Sequence, residues 1–287
     1  MQGHVPQPER QIVINGVGLI GGSIAAAVRR RFPDTRIVGI GRSETRLQAA
    51  EDAGLLDGWS TRLDASHVQD GVVIICLPVD MIVDAVRQTA SLASGHVLIT
   101  DAGSTKARIC DRVSQDPAAA RLFVGAHPIA GSDRGGFEHA REDLFEGRSC
   151  IVTESSAGAE RVERTERFWR SLGCRVTRMT AQQHDRILAR TSHLPHLLAS
   201  VAAACVAEDQ LPFTGSGFRD TTRVAAGSPS LWQQILCCNR DEVLSSIGEA
   251  ESQLKKLRAA IQDGDSDVLQ KLLDDAARRR SQLDEDS

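Results

Sequence analysis

The chain has no excess of basic residues: 34 Lys and Arg stand against 38 Asp and Glu, for a net charge of −4 at neutral pH. That balance excludes the broad basic surface on which nucleic-acid binding depends. No apolar run reaches the length of a membrane span, and the first ten residues lack the apolar core of a signal peptide. The seven cysteines are odd in number and form no CxxC pair. Several lie in apolar runs, where a free thiol packs as a small hydrophobe. These features point to a reduced, cytoplasmic protein without a structural metal. Internal repeats and low-complexity tracts are also missing. What remains is a globular composition, 41% hydrophobic and 25% charged, over 287 residues, long enough for two domains.

Short apolar runs at residues 12–14, 37–40, 72–77, 97–100, 122–126, 150–152 and 175–177 alternate with helical stretches at 20–31, 45–53, 81–92, 106–114 and 160–172. Such alternation predicts a doubly wound α/β domain with a mainly parallel sheet and helices on both faces. Whether the later runs pair antiparallel at one edge stays open. Beyond Met179 the strand signals stop. A helical pattern covers 181–207, with Pro195 predicting a kink or break near His193, and a shorter helix starts around Gly217. Val243, Ile247, Ala250, Leu254, Leu257 and Ile261 form one helical stripe, either domain core or a subunit interface. Asp263-Gly264-Asp265-Ser266 reads as a stop and a new cap before a last helix. The expected domains are 1–179 and an all-helical 180–287.

Gly16-Val17-Gly18-Leu19-Ile20-Gly21 fits GxGxxG between a strand and a helix. In that context the glycines make a tight turn and let the backbone approach a pyrophosphate, which meets the free amides of the helix N-terminus. The domain is therefore read as Rossmann-like, with Gly16, Gly18, Leu19, Ile20 and Gly21 at a dinucleotide. At the end of the second run, Gly41 stands where an acid normally holds the ribose hydroxyls of NAD. Arg42 and Ser43 beside it suit a 2′-phosphate, so NADP is expected, with NAD still possible. The alternative leaves Arg42 solvated and Glu44 capping the next helix. Leu77, Pro78 and Asp101, at the ends of two further runs, are assigned to the same cofactor.

His127 closes the run 122–126 in Ala126-His127-Pro128-Ile129-Ala130-Gly131. Ligands in open α/β sheets bind beyond the carboxyl ends of the strands, and a histidine there can take a proton from a hydroxyl. Ser104, in Asp101-Ala102-Gly103-Ser104-Thr105-Lys106, reads by default as a cap of the following helix. Ser192-His193-Leu194-Pro195-His196 places two histidines three apart, satisfied helix residues in preference to metal ligands. Asp220 and Arg223 are also three apart, and a surface ion pair would account for them.

In order, residues 16–23, 101–106, 127–136, 144–147, 192–196 and 217–223, followed by Pro229-Ser230-Leu231-Trp232, resemble the prephenate/arogenate dehydrogenase family of tyrosine biosynthesis. The glycine motif is unspecific; His-Pro-Ile-Ala-Gly with Ser-His-Leu-Pro-His carries the likeness. The resemblance implies that His127 contacts the ring hydroxyl of prephenate or arogenate and that Ser104 orients it. It implies that Arg223 grips a substrate carboxylate with His193 and His196 nearby. Asp133 would form an ionic gate with Asp220 and Arg223. A helical, homodimeric C-terminal domain is implied too, whereas a fused chorismate mutase or ACT domain is not expected in a chain of this length. Two other readings remain: a different NADP-dependent dehydrogenase and a non-catalytic NADP sensor. The hydroxyacid class relies on a GxxxNxxK segment that is missing, and a sensor is argued against by the presence of His127 and Arg223.

Overall fold

Strands rich in Val and Ile with both faces apolar are suited to burial on both sides of a parallel sheet. The computed structural model describes residues 9–131 and 135–285. In it, β1 (Gln11–Asn15), β2 (Arg36–Ile40), β3 (Gly58–Ser60), β4 (Val72–Ile75), β5 (Leu98–Asp101) and β6 (Phe123–Val124) form one sheet of order β3-β2-β1-β4-β5-β6. Every pairing in it is parallel. The order reverses between β1 and β4, where a doubly wound sheet opens its ligand crevice. Period-two alternation divides the core. Ile12, Ile14 and Ile74 pack on one face with α1 (Leu19–Arg31), while Val13, Val73 and Ile75 pack on the other. That second face is covered by α3 (Val79–Leu92) and α4 (Ala107–Ser114). The short helices α2 (Glu44–Asp52) and α5 (Pro117–Ala120) complete the windings.

The run 122–126, expected as one strand, is two. After β6 the chain leaves the sheet and forms β7 (Ala126–Pro128) in a second sheet with β8 (Ser149–Thr153) and β9 (Arg175–Met179). β7 runs antiparallel to β8, with His127 opposite Ile151, and β9 runs parallel to β8. Residues 150–152 and 175–177 thus build their own sheet instead of extending the first. Between them, α6 (Ala159–Ser171) places Phe168 and Trp169 in the core shared with α1.

The helical segment starts with α7 (Ala181–Leu188), whose cap Thr180 accepts from Gln183 N. Pro195 does not break it. The chain widens into a π turn, Ala189–His193, and continues as α8 (Leu194–Ala204). Proline has no N–H and crowds the preceding turn, and a π turn accommodates both. α9 (Ser216–Thr222), a 3-10 turn at Arg223–Ala226 and α10 (Pro229–Cys238) follow. Compactness divides the chain after Arg240, and Ile235 of α10 packs in the core of the second sheet face. The remaining unit carries α11 (Arg240–Gln262) and α12 (Ser266–Glu285), joined through Gly264 at φ +66°. Among the described residues no helix is long and apolar enough to cross a membrane.

Two glycines make the turn after β1 possible. Gly16 has φ +106°, and a Cβ there would stand 2.4 Å from the Cys76 carbonyl oxygen. A Cβ on Gly21 would stand 2.2 Å from the Gly16 oxygen. By contrast, a Cβ on Gly18 would meet nothing within 4 Å. Gly21→Ala is expected to destabilise the fold by about 1–3 kcal/mol in urea titration, as overpacking does. Gly18→Ala should fold normally yet bind dinucleotide more weakly, which fluorescence titration of the reduced cofactor would detect. Equal stability losses in the two variants would contradict this division of roles.

Candidate active site

Asp101, the last residue of β5, is fully buried. Its carboxylate accepts from Gly103 N (3.0 Å), from Ala126 N (3.0 Å) and from the fully buried Lys106 ammonium. Both oxygens are engaged, and the side chain does not line the cofactor cavity described below. Asp101 is a buried anchor that ties the start of β7 to the end of β5. Losing one partner of such a pair costs about 3–5 kcal/mol, because the other charge stays buried.

One residue beyond this anchor is His127, 9% exposed. Its Nδ1 lies 2.8 Å from Nε2 of His184 on α7, and His184 Nδ1 lies 2.7 Å from Asp185 Oδ1. Asp185 also accepts the amides of Lys106 (Oδ1, 2.7 Å) and Ala107 (Oδ2, 2.9 Å). It therefore caps α4 from a distant helix, the task that sequence reasoning left open to Ser104. Ser104 makes no hydrogen bond among the described residues and is only half-buried, so its hydroxyl is free for a ligand. Burial first, then the charges of His184, Lys106 and His193, push His127 well below its usual pKa. Burial also lowers His184, against the opposing effect of Asp185.

The π turn and α8 add two more histidines. His193 Nδ1 faces Asn239 Nδ2 at 3.2 Å, and that amide donates to the Asp185 carbonyl (2.8 Å). Burial lowers the His193 pKa to about 4. His196 stacks on Trp232 of α10, with ring centroids 3.6 Å apart, and its buried Nδ1 has no partner. The turn holding Arg223 packs against α8. Arg223 and Asp220 are both exposed and form no ion pair among the described residues, so the surface pair is not made. Asp133 lies outside the described residues. No group of three metal-ligating side chains converges among the described residues.

The dinucleotide fingerprint borders a cavity of about 690 Å³ lined by Gly16, Val17, Gly18, Arg42, Ser43, Leu77 and Pro78. Leu19 and Ile20 sit in the first turn of α1, whose N-terminus has neither a side-chain cap nor an acidic residue. Its amides and the open space at Gly18 fit a pyrophosphate. Ser43 caps α2 by accepting from Arg46 N at 3.4 Å. Arg46 and Arg62 line the same cavity. Neither arginine carries a recognisable motif, nor do His184, Asp185 and Asn239. The one available signal was the pair of adjacent polar residues at 184–185 on an otherwise buried helix face.

A family model described as the nucleotide-binding domain of prephenate dehydrogenase matches residues 24–178, and one described as its dimerization domain matches 180–275. The prephenate dehydrogenase of Bacillus subtilis is 33% identical over 92% of this chain and 73% of its own length. The cyclohexadienyl dehydrogenase of Zymomonas mobilis is 30% identical, over 96% and 97%. The crystal structure of the Aquifex aeolicus prephenate dehydrogenase with hydroxyphenyl propionate and NAD+ superposes with a TM-score of 0.89 at 27% identity. It covers 96% of this chain and 98% of that one.

The buried imidazoles make stability depend on pH. Their folded pKa values lie below the unfolded value of about 6.5, so the unfolded chain binds more protons in acid. Stability is fully present above pH 6.5 and falls as the pH drops toward 4. His193 alone is expected to remove roughly 2 kcal/mol by pH 5. Urea unfolding at pH 7.5 and 5 measures this, and His193→Asn should flatten part of the difference. A pH-independent midpoint in the unmodified protein would contradict it.

Proposed function

The chain belongs to the prephenate dehydrogenase family, and on that premise we propose that it oxidatively decarboxylates prephenate or arogenate in tyrosine biosynthesis, with NADP as the preferred hydride acceptor. The observation that carries this reading is His127, a buried neutral imidazole with one nitrogen bound to His184. Its Nε2 would take the proton of the ring hydroxyl as the carbonyl forms. When bound, the oxidised nicotinamide supplies the acceptor for the hydride leaving the same carbon. The bond to the ring carboxylate then breaks, carbon dioxide departs, and its electron pair completes the aromatic ring. The protein must hold the ring, remove one proton and exclude water.

Ser104 is assigned to orient the hydroxyl and Arg223 to make paired hydrogen bonds to a carboxylate, which its planar guanidinium suits. His193, His196 and Asp220 border the substrate, with Asp133 as the proposed gate partner. Residues 180–287 act as the substrate and dimerisation domain of a homodimer. In support, α11 and α12 leave Leu254, Ile261 and Leu273 more than half exposed, and burial against a second copy would cover them. A biosynthetic role of this kind is placed in the cytoplasm.

NADP preference rests on Arg42, which forms no ion pair among the described residues, and on Arg62 beside it at the cavity. Gly41 offers no carboxylate to the ribose hydroxyls. Arg46 is engaged by Glu138 at 3.3 Å and contributes less.

Two sets of measurements test these assignments. With prephenate and each cofactor, His127→Asn is expected to lower kcat on the order of 10²–10⁴-fold. Arg223→Ala should mainly raise KM, because carboxylate binding serves ground and transition states alike. Near-normal turnover by folded His127→Asn would remove it as the base. Separately, Arg42→Ala should lower kcat/KM for NADP more than for NAD, and added salt should weaken NADP the more. Equal use of both cofactors by the unmodified enzyme would show that Arg42 reads no phosphate.

A further inference from the structure

We propose that His184 and Asp185 are positioning residues that hold His127 in the Nδ1–H tautomer, so that Nε2 is its lone-pair, proton-accepting nitrogen. This rests on the reading of His127 as the base, and it goes beyond that reading by assigning which nitrogen acts and why. The chain of donors and acceptors starts at Asp185. Its two carboxyl oxygens already accept backbone amides, Oδ1 from Lys106 and Oδ2 from Ala107, so the group faces donors only. His184 Nδ1, 2.7 Å from Oδ1, must then carry a hydrogen. A neutral His184 keeps one proton, and its Nε2 is left as an acceptor. His127 Nδ1, 2.8 Å from that Nε2, must donate. The second nitrogen of His127 is left with its lone pair.

This arrangement is the orienting logic of a hydrolase triad, lengthened by one imidazole. When a hydroxyl proton moves to His127 Nε2, the imidazolium that forms is stabilised by the hydrogen bond from its Nδ1 to His184 and, through that ring, by the Asp185 carboxylate. Lys106 and His193 oppose that charge on His127, and Lys106 also opposes it on His184. Asp101 offsets Lys106 by direct pairing. Asp185 is thus the anionic end of this hydrogen-bonded series and at the same time the cap of α4.

The protein has eight histidines, and selective ¹⁵N-histidine labelling makes their tautomers readable by long-range ¹H–¹⁵N correlation. At pH 8, without substrate, the resonances lost in His127→Asn identify His127, which is expected to carry its proton on Nδ1. An Nε2–H tautomer there would overturn the proposal. The spectrum needs no turnover, so its outcome is separate from the base assignment, which fails only if folded His127→Asn keeps normal kcat.

A kinetic arm compares His184→Gln with His184→Leu, both checked for folding by circular dichroism. Glutamine can present a carbonyl to the Nδ1–H of His127, whereas leucine cannot. His184→Leu is expected to lower kcat about tenfold or more, a share of the 10²–10⁴ that a positioned base contributes. KM should stay within about threefold, the acid limb of the kcat profile should move, and His127 should populate both tautomers. His184→Gln should recover most of the loss. Equal losses in the two folded variants, or an unchanged kcat in His184→Leu, would show that His184 only fills space.

Discussion

Asp185 receives two amides from the first turn of α4 and one imidazole N–H from the preceding residue. A carboxylate at a helix N-terminus is stabilised by the unpaired amides and by the helix dipole. Here that ordinary capping interaction comes from a helix more than seventy residues away in sequence. It joins the helical segment to the sheet and sets the orientation of His184 in the same contact. The position of His127 relative to α7 follows from it. A second anchor, Asp101 with Lys106, ties β7 to the end of β5 from below.

These two carboxylates also divide the electrostatics. Asp101 neutralises the one buried ammonium near the histidines, so that charge does not act on His127 unopposed. Asp185 is satisfied by the backbone amides of Lys106 and Ala107. Burial does the rest, holding His127, His184 and His193 uncharged at neutral pH. An imidazole proposed to accept a proton is best kept free of one, and the cost appears as lower stability in acid.

Pro195 has a related consequence. The π turn that accommodates it advances α8 relative to α7 and places His193 beside Asn239 and His196 against Trp232. π turns are frequent at functional sites because they re-aim side chains without ending a helix. The expectation of a break near His193 located the irregularity correctly. Its form is a π turn, in which the lost hydrogen bond is absorbed by widening.

Periodicity and punctuation were enough to read the doubly wound sheet, the fingerprint turn and the helical second half. Those features depend on local rules: period-two apolar strands, glycine where a Cβ has no room, and a helix stripe in steps of three and four. The site was legible only in part. Ser104, His127, His193, His196 and Arg223 stand in recognisable segments, while His184 and Asp185 stand in a helix like any other. Nothing local marks a carboxylate that caps a remote helix, because the amides it satisfies are brought to it by the chain's tertiary path. The same holds for Asp101. From sequence it is an acid at a strand end, next to where a cofactor should lie; in the fold, Lys106 and two amides surround it. The sequence by itself determined which side chains can donate, accept and titrate. Tertiary structure decided which of them meet, because hydrogen bonds between distant segments depend on packing geometry that no short stretch of residues encodes.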